Sequence, residues 1–231
     1  MDSKEIEQMN RHIASFSPVV RWGAQLVSVV FHPLLILAYA FILLAKVNPF
    51  LFGCSSFTKV MDSTNNQIMF IHLMLFTFAI PTLAVLIMRG LNLVQTFTLR
   101  DRMDRIGPYI LTGIFYMVEF MNLNYSTIMP LEVKIFMLGA TIALFLAFFV
   151  NLFSKISMHT VGMGGFLAMV LISIVSTNDN NGHLLLWAIV ACGLVGTSRL
   201  ILSAHETSDI YGGYFIGFLA QFVALRFLFI G

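Results

Sequence analysis

Apolar residues run through this chain in long blocks, and the polar residues collect in the gaps between them. Seven blocks, approximately 23–45, 68–88, 108–125, 132–153, 160–176, 183–203 and 210–230, approach or exceed the length of about 20 helical residues needed to cross a bilayer. They predict about six to seven membrane-spanning helices. No stretch of soluble-domain size is left over, so residues 1–231 read as a single transmembrane domain behind a short polar segment, residues 1–22. That segment carries Arg11, His12, Arg21 and several acidic residues and lacks a small-residue cleavage pattern, which argues against a cleaved signal peptide.

Composition sharpens the fold class. With 58% hydrophobic and 10% charged residues and a mean hydropathy of +0.89, the chain lies far outside the range of soluble domains. The expectation is an all-α, polytopic membrane helix bundle. Cys54 falls in a loop and Cys192 within an apolar block; they have no metal-ligand spacing and should lie at different depths, so neither a disulfide nor a redox role is read from them. The net charge of +2 is small and the basic residues sit at span ends, which makes nucleic acid an unsuitable partner.

The chemistry is in the gaps. Between the sixth and seventh blocks the chain reads Ser198-Arg199-Leu200-Ile201-Leu202-Ser203-Ala204-His205-Glu206-Thr207-Ser208-Asp209. His205 and Asp209 are four apart, one helical turn, close enough for the carboxylate to accept an imidazole N–H. Arg199 lies six residues before His205, roughly 240° round a continuous helix, so the two converge only if the chain bends between them. A helix boundary is therefore expected near Ser203 and Ala204. Charge flanked by apolar spans costs on the order of 2.5–3.5 kcal/mol, which weighs toward function.

Two further polar clusters occupy other gaps. After the second block come Thr98, Arg100, Asp101, Arg102, Asp104, Arg105 and Pro108, with Arg102 and Arg105 three apart on one helix face. Taken alone, this cluster reads better as a topogenic basic loop than as a ligand set. After the fourth come Ser154, Lys155, Ser157 and His159, readable as a polar helix start. The clusters follow the second, fourth and sixth blocks, so an even number of crossings separates them and all three open on one side of the membrane. Three distant segments can thus converge on one anion pocket.

The string Ser198-Arg199 through His205 to Asp209, of the form SRxxxxxHxxxD, resembles the third signature of the type 2 phosphatidic acid phosphatase superfamily, membrane phosphatases with a histidine nucleophile. The resemblance implies that Arg199 binds phosphate, His205 forms a phosphohistidine and Asp209 orients it. It covers roughly residues 98–217. The family's first signature is a lysine, six residues, then Arg-Pro. With Arg105 as its arginine the lysine position is Thr98 and the proline comes late, at Pro108, leaving Arg102 or Arg100 to supply the missing charge. The second signature is Pro-Ser-Gly-His, matched by Ser157 and His159 but with Ile156 and Met158 replacing proline and glycine. Lys155 adds a charge there. The resemblance gives Ser157 a phosphate contact and His159 the protonation of the leaving group. In well-known members the first two signatures share one extramembrane segment, whereas here two spans intervene.

What the resemblance implies is a lipid-phosphate phosphatase without metal or other cofactor. Its substrate would be a phospholipid or polyprenyl phosphate: phosphatidic acid, phosphatidylglycerol phosphate, a polyprenyl diphosphate or a phosphorylated sphingolipid, with the ionic head at the interface and the tail in lipid. A phosphotransferase of the same fold, moving a lipid head group to an alcohol, is the near alternative. A haem protein using His32, His72, His159 and His205, or a transporter using Glu119, Arg199 and Asp209, are alternatives of other classes; no pair of broken spans in two halves supports the transporter. The protein is expected in a bacterial inner membrane. The motif side carries nine Lys and Arg against four opposite, which the positive-inside rule reads as cytoplasmic; without the five in or near the pocket the count is four against four. His32 and His72 read as isolated lining or packing residues, Pro33 as a kink, Glu119 as an unassigned intramembrane acid, and Gly213 and Gly217 as a close helix crossing within the chain.

Overall fold

The computed structural model describes residues 15–94, 103–177 and 182–230. Arg100 and Arg102 lie outside the described residues, as does Thr98. Every regular element is helical, and no strand occurs among the described residues. The chain is a polytopic helical membrane bundle. Six helical stretches are long and apolar enough to cross a membrane: Thr64–Gly90, Met103–Tyr125, Leu131–Asn151, Met158–Ser176, Gly182–Ile201 and Thr207–Phe229.

The first predicted span bends at Pro33, the residue expected to kink it, but it breaks into two helices there. Instead of one helix over 23–45 there are two, α1 (Pro18–Val30) and α2 (Ile36–Val47), joined by a tight 3-10 turn at Pro33–Leu35 and bent by 42°. Pro33 is the cause: it has no N–H to continue the ladder, and its ring drives the preceding residue out of the helical region. His32 accordingly takes an extended conformation (φ −63°, ψ 135°) and caps the turn, its Nδ1 accepting from the Leu34 N–H at 3.4 Å.

After a short α3 (Phe57–Asp62), the second span is α4 (Thr64–Met74), a π turn (Leu75–Ala79) and α5 (Ile80–Gly90). Pro81 lies two residues past the π turn, in the first turn of α5, where its missing N–H is accommodated. A 3-10 turn at Met103–Arg105 leads into α6 (Ile106–Tyr125), followed by α7 (Leu131–Asn151), α8 (Met158–Thr177), α9 (Gly182–Ile201) and α10 (Thr207–Ile230). α8 is the central post, with α10, α9, α7 and α2 packed on it; α6 packs on α7, and α1 lies along α9.

The α8–α10 crossing is the tightest. A Cβ on Gly217 would overlap the Val161 carbonyl oxygen, and one on Gly164 would overlap that of Tyr214. Glycine at these two points lets the backbones touch, the usual source of helix association in a solvent as apolar as the side chains. The Gly213/Gly217 pair thus serves a crossing inside the chain, as its spacing suggested.

Candidate active site

The bend expected between Arg199 and His205 has a defined origin. Ser203 adopts a left-handed backbone (φ +47°); the Ala204 N–H reaches back to the Arg199 carbonyl (3.1 Å) and the Ser203 N–H to that of Leu200 (2.9 Å). This is a Schellman ending, which closes α9 and reverses the chain within one residue. α10 then starts with Glu206 as its N-cap. Asp209, in the first turn, accepts the Glu206 N–H at 3.3 Å, the half of a capping box that reaches back. The same carboxylate oxygen lies 3.2 Å from Nδ1 of His205. His205 therefore precedes the helix rather than sharing a turn with Asp209, and the pair forms through the cap. With Nδ1–H donated to the carboxylate, the Nε2 lone pair of a neutral imidazole is left free.

Contacts between clusters assemble the rest. The Ser157 N–H donates to the Asp209 carbonyl (3.4 Å), joining the second and third clusters. An Arg105 guanidinium N–H donates to the Ile156 carbonyl (3.0 Å), joining the first to the second. From the N-terminal side, the Ser28 hydroxyl accepts from Arg199 at 3.1 Å. The Ser28 carbonyl accepts from Nε2 of His159 at 3.0 Å, which leaves Nδ1 of His159 as its exchangeable atom. His32 packs edge-on against His159, ring centroids 5.8 Å apart.

Arg105, His159, Arg199 and His205 line one cavity of about 990 Å³, the upper end of the size usual for small-molecule sites. Ser28, His32, Arg21 and Gln25 line it as well. Trp22, Val29 and Leu86 both line the cavity and are exposed on the bundle surface, so its rim is apolar. At its polar end, Nε of Arg199 is buried and has no hydrogen-bond partner among the described residues, a donor held in reserve for an anion. Burial, reinforced by the charges of Arg105, Arg199 and Lys155, holds the His205 pKa down at about 3. The imidazole is thus neutral, the form in which nitrogen is a nucleophile.

The other residues singled out from the sequence are placed as follows. Lys155 is exposed and acts on His205 through its charge. Ser157 is fully buried at the start of α8, and its Oγ has no partner among the described residues. Of the two histidines read as isolated lining or packing residues, His32 does line the cavity but packs on a second histidine, and His72 has an acidic partner. His32 is on the cavity wall, and its signal was already present: proline after a histidine inside an apolar block announces a broken helix at that histidine. His72 lies 3.0 Å from Oε2 of Glu119, whose side chain is fully buried. Ser28 carried no signal, since a lone serine in an apolar helix is common. Among the described residues no group of three His, Cys, Asp or Glu side chains is arranged to hold a metal.

No curated protein and no solved structure matches this chain. The family model of the PAP2 superfamily matches residues 147–230. That stretch contains Lys155, Ser157, His159, Arg199, His205 and Asp209; Arg105, His32 and Ser28, which complete the cavity's polar end, precede it. The match supports a phosphatase-type function in broad terms, and with the helical membrane bundle around it is consistent with a member of the type 2 phosphatidic acid phosphatase superfamily.

Proposed function

We propose that this protein is an integral membrane phosphatase that hydrolyses a phosphomonoester or diphosphate of a lipid through a phosphohistidine on His205. The observation that carries the reading is the pairing of His205 with Asp209 at 3.2 Å, beside a cavity that Arg105, Arg199 and His159 also line. Phosphoryl transfer asks mainly for positioning and for charge on the equatorial oxygens, and this inventory supplies both.

In this mechanism Nε2 of His205 attacks phosphorus in line, the P–N bond forming as the bond to the lipid oxygen breaks. Asp209 accepts the Nδ1–H throughout and stabilises the charge that develops on the ring. Arg199 and Arg105 hold the equatorial oxygens, with Lys155, Ser157, Arg102 and Arg100 as further phosphate contacts. His159, its Nε2–H held by the Ser28 carbonyl, takes the proton of a monoprotonated phosphate on its Nδ1 lone pair and passes it to the departing oxygen. A water then displaces His205 from phosphorus and regenerates the site. The apolar rim fits a substrate that arrives from the bilayer, head and tail together.

The test is release of inorganic phosphate from detergent-dispersed phosphatidic acid, phosphatidylglycerol phosphate, a polyprenyl diphosphate and sphingosine phosphate, with His205→Ala and His159→Ala alongside. Hydrolysis of at least one lipid, lost in His205→Ala, is the expected result. Full activity of His205→Ala on every substrate, or no hydrolysis by folded protein, overturns the reading.

A further inference from the structure

The cavity does not stop at the phosphate-binding end. Its walls continue inward between α2, α6 and α7 along Ile36, Leu37, Tyr116, Phe136 and Leu144, and its inner end is polar. Gln221 of α10 lines it there while being only 1% exposed. Its Nε2 donates to the Phe136 carbonyl at 3.4 Å. Its Oε1 is buried with no hydrogen-bond partner among the described residues. The amide is seated on the bare backbone of Gly139, where a Cβ would overlap it. Beyond it lies a void of only about 10 Å³, bordered by Gln221 and Phe136 on this side and by Ile135, Met169 and Ile172 on the other. Gln221, beside Phe136, is thus the polar part of the partition that ends the large cavity.

An unpaired amide oxygen inside an apolar bundle is unfavourable, and a partition made by Gln221 together with the Phe136 ring fixes a length. We infer that Gln221 is the floor of a tail-binding passage and sets the length of the lipid chain that the phosphatase accepts. Asp209 and Gln221 are twelve residues apart on one helix, roughly 18 Å at 1.5 Å per residue. An extended carbon chain advances roughly 1.2 Å per bond, by the geometry that limits a three-bond residue to about 3.3–3.6 Å. About 15 chain atoms therefore fit between the phosphorus and the amide. Shorter chains leave the passage unfilled; longer ones must buckle or press a methyl group against an oxygen that has no donor.

The inference rests on the phosphatase reading, and the experiment separates the two. A series of linear monoalkyl phosphates from eight to twenty carbons is hydrolysed by wild type, Gln221→Ala, Gln221→Leu and Ala143→Phe, and kcat/KM is plotted against length within each protein. Wild type peaks near fourteen carbons. Gln221→Ala, which joins the passage to the void beyond, moves the peak longer by two carbons or more. Gln221→Leu, similar in size, keeps its position. Ala143→Phe, on the wall two turns of α7 nearer the catalytic end, moves it shorter by at least four. A flat profile in wild type, or one unmoved in both Gln221→Ala and Ala143→Phe, overturns the floor and leaves the phosphatase standing. Hydrolysis of the lipid panel but of no alkyl phosphate overturns the passage alone; hydrolysis of neither by wild type overturns both.

Discussion

The carbonyl oxygen of Ser28 sits 3.0 Å from Nε2 of His159, across 131 residues of chain. Because the hydroxyl of the same serine holds Arg199 at 3.1 Å, one residue of the N-terminal helix positions both the proposed proton donor and a proposed phosphate ligand. The broken first span is therefore part of the site although it precedes the segment that matches the family model.

Ser28→Ala separates the two functions of that serine. The carbonyl remains and only the bond to Arg199 is lost, a hydrogen bond to a charged group worth about 1.5–3 kcal/mol. The expected result is a rise in KM of about tenfold with kcat within threefold, measured on whichever lipid phosphate is hydrolysed. Unchanged KM would show that Arg199 needs no such support.

His205 should resist protonation. Its folded pKa of about 3 lies below the ordinary 6.5, so an unfolded chain takes up the proton first, and this site's contribution to stability falls as pH drops from about 6.5 toward 3. In the folded protein the ring stays neutral through most of that window, pH 5 included. Diethyl pyrocarbonate reacts only with neutral imidazole, and at pH 5 an ordinary histidine is about 3% neutral. Carbethoxylation of His205, followed by peptide mass spectrometry, is expected to have nearly the same rate constant at pH 5 and pH 7.5 after correction for reagent decay. A fall of about 30-fold would mean an ordinary histidine.

The close crossing of α8 and α10 makes a matched pair of glycines informative. A Cβ on Gly217 collides with the Val161 backbone, whereas one on Gly212 meets nothing within 4 Å. Gly217→Ala is expected to destabilise the bundle by about 1–3 kcal/mol or more, as overpacking does. Gly212→Ala is expected to be neutral or slightly stabilising, by helix propensity. Thermal unfolding in detergent compares them, and equal shifts would contradict the crossing.

Much of this architecture was legible in the sequence, for identifiable reasons. Block lengths gave the spans because lipid forces every backbone group into helical bonds. The 240° offset of Arg199 and His205 gave the bend that Ser203 makes, and even spacing of polar gaps put Arg105, His159 and His205 where one cavity now holds them. The missed parts are non-local. Periodicity says that a helix faces protein or lipid but not which helix it meets, so the pairing of His72 with Glu119, 47 residues apart, left no trace in either block. Ser28 and the contact of His32 with His159 were missed for a related cause: a kink at Pro33 says that the span bends but not which helix each half then meets. Gln221 looked like any polar residue of a long helix until its amide was seen over Gly139.

The His72–Glu119 pair lies away from the chemistry. Arg105 and Glu119 are fourteen residues apart along α6, roughly 21 Å. Glu119→Ala is expected to lower stability by about 2–5 kcal/mol, since it strips a buried partner from His72 and leaves a void. The kcat/KM per folded molecule should stay within threefold. A selective loss of activity at unchanged stability would contradict the structural role.

The central claim is that His205 carries the phosphoryl group. Rapid acid-free quenching of protein mixed with a ³²P-labelled lipid phosphate, then proteolysis and peptide mapping, tests it directly. The account predicts acid-labile, base-stable label on the peptide containing His205, formed faster than phosphate is released and absent in His205→Ala. Label on another residue, or phosphate release at the wild-type rate by His205→Ala, would contradict it.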